Sequence, residues 1–389
     1  MLLIKIHKAR VVVSMATILF CILLFVTQAD AKETIKLGFI GPLSGANALQ
    51  GEGAKNAFLL AIQQANDNDY PYEIVPMALD DESKPSVGAA AALKIVNDNQ
   101  AVAAIGHWNS PVALATIPIF ARNNMPFIIW GAISPKITEQ NYPVVTRVTP
   151  TLAQENDPLA KWLVEDLGYT RIAVLTTTDD YGQTNLQAFK QYADKYGAEI
   201  VGTASLPPDT TNYKPALEKL NRNSPDVINF GGVIGPAGLA RSQMTSMGMD
   251  IPIAGISGIF DKKLIEIAGA EAAEGTLVAV PVVLDNPRLE AMYDAYDEAD
   301  FNYPPGPYAK YAYDATNILL QAIKEHGVDD LQKLARAVRD ISYEGVLGVT
   351  TFDDNGQTQV EIKAEHYVVQ NGEWVLYKES HYANTTDDK

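Results

Sequence analysis

From Thr34 onward, short apolar runs alternate with longer segments of helical periodicity, one helix to each strand. "TIKLGFIGP", "YEIVPMALDD", "AVAAIGH" and "PFIIWG" read as strands; "GEGAKNAFLLAIQQANDND", "SVGAAAALKIVNDN" and "PVALATIPIFARNN" read as the helices between them. Strands separated by single helices imply a parallel sheet. The series then restarts. "NDPLAKWLVEDLG" is helical, and "RIAVLTT", "EIVGTASL", "DVINFGG" and "PIAGI" are strands with helices between them. Two such sets of similar length predict two doubly wound lobes. After "GTLVAV" three helical segments follow, and "HYVVQ-NG-EWVLY" carries a strong hairpin signal at Asn371-Gly372. No long flexible linker separates the halves, so the chain is expected to cross directly between lobes that move about a hinge.

The N-terminus is a separate matter. Lys5, Lys8 and Arg10 precede an apolar run from Val11 to Val26, and Ala29-Asp30-Ala31 follows as a small-residue cleavage site. This is the pattern of a cleavable secretory leader over residues 1–31. The single cysteine, Cys21, lies inside the leader behind Phe20, which does not fit a lipoprotein signal. The mature chain would then have no disulfide, no thiolate metal site and no cysteine nucleophile. Its net charge would become more negative, from −17 to −19, on losing three cations and Asp30. An acidic chain of this kind does not bind nucleic acid or anionic membranes non-specifically.

Two strand ends look alike. "AVAAIGHWNSP" and "PFIIWGAISP" each run from an apolar strand through a Trp and small residues into a Ser-Pro pair. Ser110 is a favoured N-cap, and Pro111 suits a first helical position. Strand carboxyl ends in an open α/β sheet are also where ligands bind, and a helix N-terminus there favours an anion such as a carboxylate. Gly131 and Ala132 would let a ligand approach the backbone. Trp108 and Trp130 beside them suit a pocket wall or a core equally.

Catalytic motifs are weak. "GEGAKN" is neither a P-loop nor G-x-G-x-x-G, and Ser110 in "WNSPV" is not on a nucleophile elbow. No HExxH or acidic calcium loop is found, and neither metal nor cofactor is expected. An enzyme is a further rival, for example a hydrolase using Ser110 and His107.

"IKLGFIGPLSGANALQGEGAKNAFLLAIQQAN", "IGHWNSPVALATIPIF", "DDYGQTNLQAF" and "EAAEGTLVAVP" together resemble the periplasmic leucine/isoleucine/valine-binding protein family, the type I solute-binding proteins of ABC importers. The resemblance covers nearly all of the mature chain, in order. It implies two lobes joined by three hinge crossings, here expected near Val148, Val283 and Gly348. The N-terminal lobe would comprise 32–148 and 283–348, and the C-terminal lobe 149–282 and 349–389.

The resemblance also implies a site. A ligand carboxylate would sit at the helix starting at Ser110, flanked by Asn109 and Trp108, with Gly131 and Ala132 in contact. Tyr181 would cover it from the second lobe, and Tyr308 would stand near the ligand's far end. Four positions depart from the family pattern. Ile133 replaces a hydroxyl residue, Gln50 an aromatic near the entrance, and Val233 a Tyr. Ser257 replaces the acid that pairs with an amino acid's α-ammonium.

An enclosed ammonium needs a countercharge. The sequence therefore leads to an expected preference for carboxylates lacking an α-amine, unless Asp180 or Asp261 swings in. The expected function is a monomeric periplasmic solute-binding subunit that catalyses no reaction and delivers a small carboxylate-bearing ligand to an inner-membrane ABC permease. A ligand-sensing module feeding a membrane receptor or kinase is the alternative.

Overall fold

A computed structural model of the chain describes residues 32–284 and 286–383. The expected leader over residues 1–31 lies outside the described residues.

The N-terminal lobe is built on β1 (Thr34–Gly41), β2 (Glu73–Asp80), β3 (Ala101–Gly106), β4 (Phe127–Ile129) and β5 (Val145–Arg147). They lie all parallel in the order β2-β1-β3-β4-β5. Helices α1 (Ala48–Asp67), α2 (Pro85–Val96) and α3 (Ser110–Arg122) make the crossovers. β3 is buried along its whole length, as a parallel strand covered on both faces must be.

The C-terminal lobe repeats this plan. After α4 (Leu152–Lys161) come β6 (Arg171–Thr177), β7 (Glu199–Leu206), β8 (Val227–Gly231), β9 (Ile253–Ile256) and β10 (Leu277–Val282). Their order is β7-β6-β8-β9-β10, again parallel, with α5 (Asp180–Lys195), α6 (Lys214–Asn221) and α7 (Ile234–Ser246) between strands. In each lobe the first strand of the set lies between the second and third, so winding reverses there. A crevice opens at the strands' carboxyl ends.

Helix α4 begins earlier than the apolar pattern from Asn156 implies. Thr151 caps it, and Thr151 with Gln154 forms a reciprocal capping box. This T-x-x-Q signal was readable, and it places Glu155, which is buried, on the first turn.

Beyond β10 the chain returns to the N-terminal lobe. Helices α8 (Pro287–Glu298), α9 (Ala309–His326) and α10 (Leu331–Arg339) follow, and α9 packs along α1. The Tyr70 hydroxyl donates to the Leu320 carbonyl at 2.6 Å, tying α9 to that lobe. A short ribbon, β11 (Tyr343–Gly345) with β12 (Gly348–Thr350), turns at Val346-Leu347. The buried Asp314 carboxylate accepts both turn amides, at 3.0 and 2.8 Å.

Gly348 therefore lies inside this ribbon. The chain passes to the second lobe downstream of it, through Thr351–Ile362, and pairs Gln357 with Arg147 on the way. It re-enters the larger sheet as β13 (Lys363–Gln370), antiparallel to β10, and ends on β14 (Glu373–Leu376). Asn371 and Gly372 both take positive φ, 55° and 78°, as a two-residue hairpin turn requires.

Candidate functional site

Ser110 is the first residue of α3, and Asn109 before it is the extended cap residue. This differs from the expected Ser cap. The Asn109 side chain caps nothing, and its Oδ1 is buried without a hydrogen-bond partner. Ser110 is 1% exposed, and its Oγ accepts the Ser134 amide at 3.2 Å. One Ser-Pro junction thus braces the other, and the Ser110 hydroxyl proton is left to point elsewhere.

The small residues of the second junction have different reasons. A Cβ on Gly131 would come within 2.9 Å of the Trp108 backbone, so the neighbouring strand end, rather than a ligand, demands glycine there. The Ala132 amide is spent on the His107 carbonyl at 2.8 Å, and Ala132 does not line the cleft. Trp130 also turns inward. It stacks on Phe39 at 5.5 Å, and its Nε1–H donates to the Ile40 carbonyl.

From the other lobe, Tyr181 on the first turn of α5, Val233 before α7 and Ser257-Gly258 after β9 close over these junctions. Tyr308, at the start of α9, meets Trp108 edge-on at 6.0 Å. The enclosed space measures about 20 Å³, little more than one water occupies. Its walls include Trp108, Asn109, Ser110, Gly131, Ile133, Tyr181, Val233, Ser257 and Tyr308, so the two lobes are closed on one another. The Tyr181 hydroxyl is buried there without a partner.

Behind Ser257, which stands where the family pattern has an acid, the fold places a carboxylate from another element. Glu155 is 3% exposed, and its Oε2 accepts the Ser257 hydroxyl at 2.6 Å and the Ser257 amide at 3.2 Å. Burial pushes its carboxyl up to about 7, against the lowering effect of both Ser257 bonds. Tyr308 donates to the Ser257 Oγ at 3.2 Å. With its own proton committed to Glu155, Ser257 can present only an acceptor oxygen to a ligand.

Asp180 and Asp261, the substitutes considered above, are occupied elsewhere. Asp261 caps the short helix after it through the Lys263 amide, and Gln50 donates to its other oxygen. Gln50 thus bonds across the lobes instead of lining the cavity. Asp180 accepts from the Ser134 hydroxyl at 2.7 Å and pairs with Lys136, again across the lobes.

Since Asp180 does not border the cavity, Asp180→Ala is expected to act on closure alone. One hydrogen bond and one partly exposed ion pair amount to about 1–2 kcal/mol. Ligand affinity should fall by roughly fivefold to thirtyfold with the ranking of ligands kept. Calorimetry on a ligand panel reads this, and a reordered ranking would contradict it.

The hydrolase pairing is not assembled. His107 Nδ1 lies 2.8 Å from Asp81 and Nε2 lies 2.9 Å from Thr116 Oγ1, with all three side chains buried. Neither ring nitrogen is bonded to Ser110.

Two like lobes, crossed by the chain and meeting on a small cavity, are the architecture of proteins that close about a ligand by hinge motion. Residues 34–370 match the model of the periplasmic binding protein family, and the chain belongs to that family. Among curated relatives, it is 26% identical over 335 residues to the leucine-, isoleucine-, valine-, threonine- and alanine-binding protein of Pseudomonas aeruginosa, covering 85% of this chain and 89% of the relative.

Solved structures share the fold. The branched-chain amino acid substrate-binding protein of Streptococcus pneumoniae, in complex with isoleucine, aligns with a TM-score of 0.78 at 24% identity, over 88% of this chain and 98% of that one. A solute-binding protein of R. palustris, in complex with benzoate, aligns at 0.77 and 22% identity, over 88% and 95%. No helix among the described residues is long and apolar enough to cross a membrane.

Proposed function

We propose that this chain is the solute-binding subunit of an ABC importer, exported by cleavage after Ala31 and working in the periplasm. It captures a small carboxylate-bearing solute between its lobes and presents the closed form to an inner-membrane permease. The observation that carries this reading is the cavity itself. The Ser110 end of α3 faces Tyr181 and Ser257 of the opposite lobe across a small space lined by both lobes. The ligand carboxylate is held at Ser110, where the hydroxyl proton and the positive end of the helix dipole favour an anion. The relative that binds branched-chain amino acids and the neighbour holding benzoate both fit a carboxylate ligand.

Glu155 shifts the choice within that class. The expected preference for amine-free acids rested on a neutral Ser257 with no acid near it, and Glu155 stands directly behind Ser257. An α-ammonium on the Ser257 oxygen gains this carboxylate as its countercharge. A free α-amino acid is therefore the favoured solute.

Ser110→Ala is expected to remove one charge-assisted hydrogen bond, about 1.5–3 kcal/mol, and so weaken carboxylate binding about tenfold to a hundredfold. Tyr181→Ala should weaken it as well, by stripping the cover from the second lobe. Calorimetry that finds both variants binding like the parent would place the ligand elsewhere.

A further inference from the structure

On the far side of the Tyr308–Ser257 hydrogen bond lies a second cavity of about 140 Å³, which shares those two residues as walls with the first. Phe260, Pro281 and Tyr367 give it apolar and aromatic walls. Two polar groups on the first turn of α9 interrupt them. Tyr311 is 3% exposed, and its hydroxyl has no hydrogen-bond partner. Lys310 holds its ammonium 5.5 Å from the centre of the Tyr311 ring and makes no ion pair among the described residues.

Glu365 is the acid that pulls on Lys310, but it accepts the Tyr367 hydroxyl at 2.8 Å. Burial lowers the Lys310 ammonium to about 8, which leaves it charged at neutral pH. A half-buried cation without an ion-pair partner, beside a buried and unmet hydroxyl donor and within aromatic walls, suits an anionic oxygen group that can take both.

We propose that this second cavity is a subsite for a distal carboxylate, so that the solute is an acid at both ends. The inference rests on the reading of the cleft given above. The first carboxylate lies at Ser110 and an α-ammonium faces Ser257 and Glu155. A short apolar linker replaces the Tyr308–Ser257 hydrogen bond between the cavities, and the second carboxylate accepts from Lys310 and Tyr311. Charges along the cleft then alternate in step with those of an acidic α-amino acid. The volume admits a carboxylate with a few methylenes and is too small for a long chain.

Calorimetry with matched pairs tests this: norvaline against glutamate, norleucine against 2-aminoadipate, and valerate against glutarate. The acid-tailed member of the best-binding pair should bind at least tenfold tighter than its methyl-ended partner. Lys310→Met, which keeps an unbranched side chain without the charge, should bring that ratio close to one, and Tyr311→Phe should reduce it in part. A parent that binds methyl-ended acids as well as acid-tailed ones overturns the distal subsite and leaves the cleft reading standing. So does a Lys310→Met variant that keeps the full ratio while its circular dichroism and melting match the parent. A parent that binds none of the six overturns both.

Discussion

Arg147→Met is expected to lower the free energy of unfolding by about 1–3 kcal/mol, the range for leaving buried hydrogen-bond acceptors unmet. Arg147 is fully buried at the end of β5. Its guanidinium donates to the Ser134 carbonyl at 2.6 Å and, at longer range, to the Ala132 carbonyl and the Thr138 hydroxyl. Its Nε donates to Gln357 Oε1 at 2.6 Å, on the segment that makes the last passage between lobes.

One side chain therefore secures the second Ser-Pro junction to that passage. Burial pulls the guanidinium down to about 9, and Asp353 and Glu139 oppose the shift, so the charge persists at neutral pH. Methionine fills much of the volume but leaves those acceptors unmet. Urea unfolding with an unchanged m-value measures the loss. A change below about 1 kcal/mol would mean that water replaces the guanidinium without cost.

Glu155→Gln is expected to change both how tightly the protein binds an α-amino acid and how that binding responds to pH. The folded-state pKa of Glu155 is raised, to about 7 from an ordinary 4.5. Over that interval the folded chain holds a proton that the unfolded chain has released. The stability Glu155 contributes is fully present below pH 4.5 and is lost as pH rises through 7.

Ligand binding adds the second link. An ammonium beside Ser257 favours the ionised carboxylate, so binding expels the proton. Affinity should rise with pH up to about 7, by as much as about tenfold per pH unit, and level off above it. An amine-free acid would show the opposite slope, because a second anion favours the protonated form. Glu155→Gln should flatten either profile and weaken α-amino acid binding about tenfold or more, through loss of a buried charge partner. Calorimetry from pH 5.5 to 8.5 reads the sign directly. Affinity that falls as pH rises would assign the site to amine-free acids.

The two-lobed fold was legible in the sequence because strand and helix periodicities are local. "AVAAIG" is apolar throughout since β3 is covered on both faces, and Asn371-Gly372 marks its hairpin through backbone freedom alone. The Ser110 junction was legible for a similar reason, since an apolar strand, a turn and Ser-Pro lie within a dozen residues. Glu155 was half legible. The Thr151–Gln154 capping box places it on the first helical turn, but nothing near it in the chain names its partner.

The rest depended on contacts between residues far apart in sequence. Glu155 and Ser257 meet across 102 positions, and Gln50 and Asp261 across 211. Read alone, each of these acids is an ordinary solvated carboxylate. Folding decides which is desolvated against a hydroxyl and which becomes a bond between lobes, and desolvation is what shifts a carboxyl's pKa and gives it a ligand's charge to face. Lys310 follows the same rule. As a letter two places past Tyr308 it reads as surface, and the closing of Tyr367 and Phe260 from the other lobe turns it toward a cavity. Local pattern thus settled the scaffold and one wall of the cavity, while long-range packing, which sets burial and therefore electrostatics, settled the other.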